Sequence, residues 1–151
     1  YEVNYRVKSP VIAVVVEGNI LLNKGDIIIC HHNHFYSPSP YFLQDDLYSI
    51  PFNKTIFGKL SNTGELIPVC GNVLCDKIPI ETTLPLPPEQ RKFYTNRGLV
   101  VNGGKTEYEK GYTIFTRPSA TYDIVYIWNG IQKTVTKVSN DMICAVLKSD
   151  K

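Results

Sequence analysis

Short runs of β-branched and aromatic residues, each ended by a turn residue, recur along most of this 151-residue chain. No stretch of about twelve residues places apolar side chains at the spacing of a helical face, and ten prolines interrupt the sequence. At most one turn of helix is predicted, at residues 87–92, where proline is tolerated at the first helical position. The pattern predicts an all-β domain, either a sandwich or a barrel.

The strands predicted from these runs are short and closely spaced. The run VIAVVV at 11–16 is apolar throughout and predicts a central strand. Lys24 and Gly25 predict the turn of a hairpin, and Asn129-Gly130 is a residue pair that a type I′ turn prefers. Strands are predicted at 11–16, 19–22, 26–30, 47–50, 55–60, 65–69, 91–95, 111–116, 122–128, 131–138 and 142–147.

Length and charge limit the organisation of the chain and its partners. The chain is long enough to bury one core and too short for two, which predicts a single domain over residues 1–151. Its net charge of +2 comes without a run of like charge, which argues against binding to nucleic acid. The longest apolar run is far shorter than the roughly 20 residues of a membrane span, so no membrane insertion is expected.

The four cysteines are an even number and favour disulfides. Cys70 and Cys75 flank a short turn, which suits a bridge at the end of a hairpin, and Cys30 and Cys144 would form the other pair. A zinc site and free thiols are the alternatives, although a C-x4-C spacing without a second tight pair is a poor match to zinc ribbons. Disulfides would favour an oxidising compartment.

All three histidines lie in the segment CHHNHFYSPSPYF, residues 30–42. In an extended strand His32 and His34 point to one face and could bind one metal ion, with a third ligand from Asp45 or Asp46. Zinc is therefore open as a cofactor, and no other cofactor is predicted. The alternative is a solvated loop whose histidines bond to the backbone.

The same segment has aromatic residues around the sequence SPSP, whose prolines stiffen the backbone and reduce the entropy lost on binding. Polar side chains such as Asn33 and Asp45 lie nearby, and this mixture suits a sugar or peptide ligand. The alternative is that the rings fill the core. The aromatic residues are Phe35, Tyr36, Tyr41 and Phe42.

The chain lacks the residue patterns of common catalytic sites. No serine lies in a G-x-S-x-G turn, and the cysteines are expected to be paired. The acidic pair Asp45-Asp46 fits an exposed turn as well as it fits a hydrolase. No glycine-rich loop precedes a helix, which argues against nucleotide binding. We predict a protein without enzymatic activity.

Several segments together resemble the receptor-binding (lectin) domain of two-domain chaperone-usher fimbrial tip adhesins, with the mannose-binding adhesins of type 1 fimbriae nearest. The segment CGNVLCDKIPIETTLPLPP also resembles the C-x4-C hairpin and proline-rich strand of other enterobacterial fimbrial lectins. The resemblance covers about residues 18–130. The segments are GNILLNKGDIIICHHN (18–33), FGKLSNTGELIPV (57–69), PLPPEQRKFYT (85–95), EKGYTIFTR (109–117) and YDIVYIWNG (122–130).

The resemblance implies an elongated, immunoglobulin-like β-sandwich of jelly-roll or Greek-key topology, with one or two disulfides. It implies export through the periplasm and extracellular display at a fimbrial tip, with a pilin domain and fimbrial subunits as partners. In the mannose-binding relatives the ligand pocket lies between the loop after a cysteine and the loop before the tryptophan strand. The matching positions here are His32, Asn33 and Asp45, and Tyr122, Asp123 and Ile124.

Three functional hypotheses follow from the sequence. The first is a non-enzymatic adhesin domain that binds a host-cell glycan or glycoprotein receptor through loops at one end of the sandwich. The second is a secreted viral or eukaryotic module that sequesters a host protein through a sheet face or edge. The third is a zinc-dependent adhesin that uses the HHNH cluster. For the first hypothesis the predicted contacts are His32, Asn33, Asp45, Tyr122 and Asp123, with Tyr36 and Tyr41 as stacking surfaces.

Overall fold

The computed structural model describes residues 10–19, 21–32, 35, 41–45, 47–53 and 55–148, and within them the predicted all-β class is confirmed. The strands pair in antiparallel fashion, and the helix predicted near residue 87 is a 3-10 turn at Pro88–Gln90. The strands are β1 Val11–Val14, β2 Ile27–Cys30, β3 Phe42–Gln44, β4 Leu47–Tyr48, β5 Ile56–Leu60, β6 Leu66–Pro68, β7 Asn72–Pro79, β8 Phe93–Asn102, β9 Thr113–Thr116, β10 Thr121–Trp128, β11 Ile131–Ser139 and β12 Ile143–Leu147.

These strands form sheets of order β1-β2-β5-β6, β10-β11-β7-β8-β9-β12 and β3-β4. The chain divides into two compact units. The first contains Tyr1–Cys70 and Ile124–Lys133, and the second contains Gly71–Asp123 and Thr134–Lys151. Folding of residues 1–151 as a single domain stays a prediction. No helix within the described ranges is both long and apolar enough to cross a membrane.

The core of the first unit forms around β2, whose neighbours in the sheet are β1 and β5. Ile29 and Cys30 are fully buried because β2 is covered on both faces. The prediction that 11–16 is a central strand is wrong for the part of the chain that the structure describes, where β1 lies at the edge of its sheet and leaves Ile12 and Val14 exposed. An entirely apolar run is therefore not enough to predict a strand that is buried on both faces. The buried cluster contains Val15, Leu22, Ile28, Cys30 and Ile56.

The hairpin predicted between 19–22 and 26–30 is also wrong, because β2 pairs with β1 instead. The side-chain oxygen of Asn19 accepts hydrogen bonds from the backbone N–H groups of Leu21 and Leu22, at 2.8 and 2.9 Å. An asparagine side chain that bonds to nearby backbone in this way offers those groups an alternative to a strand ladder. The predicted turn itself is present, with Gly25 at φ +94°.

The second unit is built on β7 and β8. β7 was not predicted, and β8 was predicted only at its start. The first four residues of β7 are all buried, and Cys75 lies between Val100 on one neighbouring strand and Thr136 on the other. The buried cluster contains Val73, Cys75, Val100, Ile114 and Val138.

The turn between β10 and β11 confirms the prediction made from Asn129-Gly130. Both residues have positive φ, at 50° and 78°, as a type I′ turn requires. Just before this turn, within the first unit, the Tyr126 hydroxyl donates a buried hydrogen bond of 2.9 Å to the Gly64 carbonyl. The Trp128 ring lies against Gly64, where a Cβ atom would come within 2.3 Å of the ring. The end of this hairpin is thus packed on the β5–β6 turn.

Candidate binding site

The hairpin β3–β4 of the first unit carries partly exposed aromatic side chains. Phe42 and Tyr48 are register partners across the two strands. The Ser49 N–H donates to the Tyr41 carbonyl at 2.8 Å, which extends the pairing by one step. Asp45 lies in the connecting turn at φ 38°, exposed to solvent. This short hairpin therefore fixes the positions of two aromatic residues and one carboxylate.

Tyr48 is the central ring of a three-ring cluster, which we call the aromatic platform: Phe35, Phe42 and Tyr48. The Tyr48 ring centroid lies 4.9 Å from that of Phe35 and 5.5 Å from that of Phe42, both in edge-on geometry. Such edge-to-face pairs are worth about 0.5–1.5 kcal/mol beyond the area they bury. The Tyr48 hydroxyl also donates to the Phe35 carbonyl at 3.4 Å. These contacts hold the rings in defined orientations.

The aromatic platform is buried on one side and exposed on the other. Phe35 packs against the core cluster of the first unit, and Ile50, just after the hairpin, packs against the same cluster. Phe42 leaves 50% of its surface exposed and Leu43 leaves 59%. Consecutive residues of a strand point to opposite faces, so Phe42, and not Leu43, is the exposed side chain of the platform. An exposed aromatic ring held on a hairpin suits a ligand contact.

The two described histidines stack on each other at the start of the same loop. The His31 and His32 ring centroids are 4.1 Å apart, and the His31 ring meets Phe57 edge-on at 6.0 Å. The His31 N–H donates to the Thr55 carbonyl at 2.8 Å, which ties the loop to the segment before β5. His34 lies outside the described residues, among which no group of three metal-ligating side chains is found. Zinc at His32 and His34 stays a prediction.

The predicted ligand contacts fall into three groups. His32, Tyr41 and Asp45 lie in the first unit, the latter two on the β3–β4 hairpin. Asn33 and Tyr36 lie outside the described residues. The remaining contacts, Tyr122 and Asp123, belong to the second unit.

Asp123, in the second unit, makes two polar contacts through its carboxylate. Lys77 Nζ lies 2.7 Å from one carboxylate oxygen, and the Thr136 hydroxyl donates to the other at 3.0 Å. Tyr122 is partly buried beside it, and Ile124, which the resemblance also matched to the ligand pocket, is fully buried in the core. A ligand that contacted Asp123 would have to compete with two existing bonds.

The predicted disulfides are not formed: all four cysteines are described, and each is a free thiol. Cys70 lies in the turn, at φ 58°. Cys75 lies inside β7, where the extended run from Asn72 covers about 10 Å at roughly 3.3 Å per residue. The prediction that Cys70 and Cys75 flank the same turn is therefore wrong, because only Cys70 lies in the turn. Cys30 is fully buried whereas Cys144 is exposed on β12, so this pair is not formed either.

Burial makes three of these thiols weaker acids than an ordinary cysteine. It raises the pKa of Cys30 and of Cys75 to about 12, and the pKa of Cys70 to about 11. At Cys75 the carboxylates of Asp76 and Asp123 add to the effect, and at Cys30 the Cys70 thiol adds to it at the high pH where Cys70 ionises. Thiols with such pKa values are protonated at neutral pH and lack the nucleophilic thiolate of a catalytic cysteine.

The second unit contains a separate open groove of about 250 Å³ between the end of β7 and the start of β8. Its walls are mostly proline and aliphatic side chains, with Arg91 as the one charged residue that lines it. The sequence signal for it was the proline-rich run IPIETTLPLPP at 78–88. The lining residues are Pro79, Ile80, Thr82, Leu84, Pro85, Leu86 and Arg91.

Sequence reasoning missed Tyr48, the central ring of the aromatic platform, and the exposed Leu43. The segment FLQDDLY at 42–48 holds the signal, because two apolar ends around an acidic turn fit a short hairpin that brings Phe42 and Tyr48 together. The chain matches no protein-family model, no curated protein and no solved structure.

Proposed function

We propose that this chain is a non-enzymatic recognition domain that binds a host-cell glycan or glycoprotein through the β3–β4 hairpin and the loop before it. The observation that supports this proposal best is the aromatic platform: Phe35 packs against the core, Tyr48 contacts both other rings, and Phe42 is half exposed.

The chemistry of the hairpin suits a saccharide. An aromatic ring offers an apolar face to the C–H groups of a sugar, while nearby carboxylate and amide groups accept or donate hydrogen bonds to its hydroxyls. Phe42 supplies the aromatic ring. Gln44 supplies an amide and Asp45 a carboxylate, and both are exposed on the same hairpin. A surface this open binds weakly at each site, so useful affinity comes from many copies acting together.

The fimbrial setting of the proposal rests on the sequence resemblance alone. In that setting the chain is an immunoglobulin-like β-sandwich at the tip of a fimbria, exported through the periplasm and followed by a pilin domain. The antiparallel all-β architecture is compatible with this assignment. The full reading frame tests it, because a leader before Tyr1 and a pilin-like domain after Lys151 are both required.

A glycan array tests the binding proposal, with two phenylalanine variants as a matched pair. Phe42→Ala should lose glycan capture, because it removes the exposed ring of the platform. Phe93→Ala is the control, since Phe93 has a similar exposed fraction, 42% against 50%, but lies on β8 of the second unit. Both variants should unfold near the wild-type temperature. Equal capture by Phe42→Ala and wild type contradicts the proposal.

The second candidate is a secreted module that holds a host protein through a sheet edge. The observation that favours it is β1, which is an edge strand among the described residues and leaves Ile12 and Val14 exposed at 49% and 61%. Enzymatic deglycosylation of a captured glycoprotein distinguishes the two candidate functions. Binding that survives deglycosylation and is lost in Val14→Lys supports the protein-binding candidate, whereas binding lost on deglycosylation supports the glycan-binding one.

A further inference from the structure

The chain has one N-x-S/T sequence, Asn53-Lys54-Thr55, and its asparagine is exposed just before β5. The side-chain oxygen Oδ1 of Asn53 accepts two hydrogen bonds from Thr55, one from its backbone N–H at 3.0 Å and one from its hydroxyl at 2.5 Å. Both bonds join residues two apart. Because they need only neighbouring residues, these hydrogen bonds can form before the tertiary fold is complete.

This arrangement suits an acceptor asparagine. The hydroxyl that donates to Oδ1 polarises the amide, which makes its nitrogen Nδ2 easier to deprotonate as it attacks. Neither of the two bonds uses Nδ2, the atom to which an N-linked sugar is attached. The threonine of the sequence thus has a physical role here that alanine or valine could not supply.

We propose that Asn53 is an N-glycosylation site, modified by an oligosaccharide that is carried on a lipid pyrophosphate. Nδ2 of Asn53 forms a bond to the anomeric carbon of the sugar and loses one proton to a base of the transferase. The bond between that carbon and the pyrophosphate oxygen breaks, and its electron pair leaves with the lipid pyrophosphate. The reaction involves no change of oxidation state.

The position of Asn53 places this glycan on an exposed segment of the first unit. The Thr55 carbonyl accepts the His31 N–H at 2.8 Å, so the segment after Asn53 is bonded to the start of the histidine loop. Phe52, the neighbour of Asn53, leaves 36% of its surface exposed. A glycan on Asn53 therefore stands two residues from the segment that is bonded to His31.

The test is secretion of the full chain from a eukaryotic host, followed by intact-mass analysis with and without peptide-N-glycosidase. We expect a glycan mass on the wild type that the enzyme removes, converting the asparagine at position 53 to aspartate. Asn53→Gln and Thr55→Ala should be secreted without that mass. Thr55→Ser keeps the hydroxyl and should keep the glycan at reduced occupancy.

Secreted wild-type protein without a glycan at Asn53 overturns the inference. A glycan that persists in Thr55→Ala overturns the role given to the hydroxyl. If Thr55→Ala is poorly secreted, Asn53→Gln still reports the site, since it retains Thr55. The inference is independent of glycan binding by the aromatic platform, because the mass measurement needs no ligand and the glycan array can be run on unglycosylated protein.

Discussion

Gly64 and Gly130 both lie in turns at positive φ, but only Gly64 faces an aromatic ring. Their φ values are +83° and +78°. A Cβ atom at Gly64 would approach the Trp128 ring to within 2.3–2.6 Å, whereas a Cβ atom at Gly130 would meet nothing within 4 Å. The two positions therefore separate the cost of backbone conformation from the cost of a close approach.

We expect Gly64→Ala to lower the free energy of unfolding by about 3 kcal/mol, the sum of left-handed strain and overpacking. Gly130→Ala should cost about 1 kcal/mol, because it brings the strain without the contact. Chemical denaturation of both variants measures the difference. Equal costs would mean that the Trp128 ring moves aside freely.

The buried thiols predict how stability depends on pH. The pKa of Cys75 is about 12 in the folded protein, against about 8.5 for an unfolded cysteine. Because the folded pKa is raised, its contribution is fully present below about pH 8.5 and is lost as the pH rises toward 12. The free energy of unfolding should fall across this range by up to about 1.4 kcal/mol per pH unit for each such thiol.

Denaturant titrations at pH 7.5, 9 and 10.5 under reducing conditions check this dependence. Cys75→Ala should show a shallower fall than the wild type, although its stability at pH 7.5 is lower. Cys144→Ala is the matched control, since it removes an exposed thiol and leaves the buried ones in place. A Cys75→Ala slope identical to that of the wild type would contradict the linkage.

At the scale of the elements, one polar cluster of the second unit joins residues from three neighbouring strands. Lys77 on β7, Asp123 on β10 and Thr136 on β11 make the two bonds described for the carboxylate. Lys77 and Asp123 are partly exposed, at 41% and 47%, so their ion pair is worth little. Thr136 is buried, so its hydroxyl depends more heavily on the carboxylate oxygen.

We expect Asp123→Ala to lower the free energy of unfolding by about 1–2 kcal/mol, mostly through the Thr136 hydroxyl. Lys77→Gln is the control and should cost less than about 1 kcal/mol, because it removes the exposed ion pair alone. Thermal unfolding and glycan capture are measured on both. Loss of capture by Asp123→Ala at an unchanged melting temperature would identify Asp123 as a ligand contact instead.

Local turn chemistry explains which elements were predictable. The Asn129-Gly130 turn and the single turn at Pro88–Gln90 were predicted because a few adjacent residues determine each of them. The pairing of β2 with β1 was not predicted, because the sequence pattern does not show which strand lies beside which. β7 was missed because Gly71 and Asn72 indicated a turn, whereas the turn ends one residue earlier and Asn72 begins the strand.

For the whole molecule, the sequence predicted the class of fold better than the site. Frequent prolines and short β-branched runs leave few alternatives to antiparallel sheets, whatever the pairing. The candidate site depends on which side chains a particular hairpin brings together. Phe42 was predicted and its partner Tyr48 was not, because their contact follows from the register of β3 with β4 and not from composition.

The two units each bury one cysteine in their core, Cys30 in the first and Cys75 in the second, and this gives the protein built-in reporters of its own opening. In native buffer a thiol-alkylating reagent should label Cys144 at once and Cys30 and Cys75 only when their units unfold. Mass spectrometry of timed samples then yields one labelling rate for each core. Equal rates would mean that the units open together, and unequal rates would rank their local stabilities without any mutation.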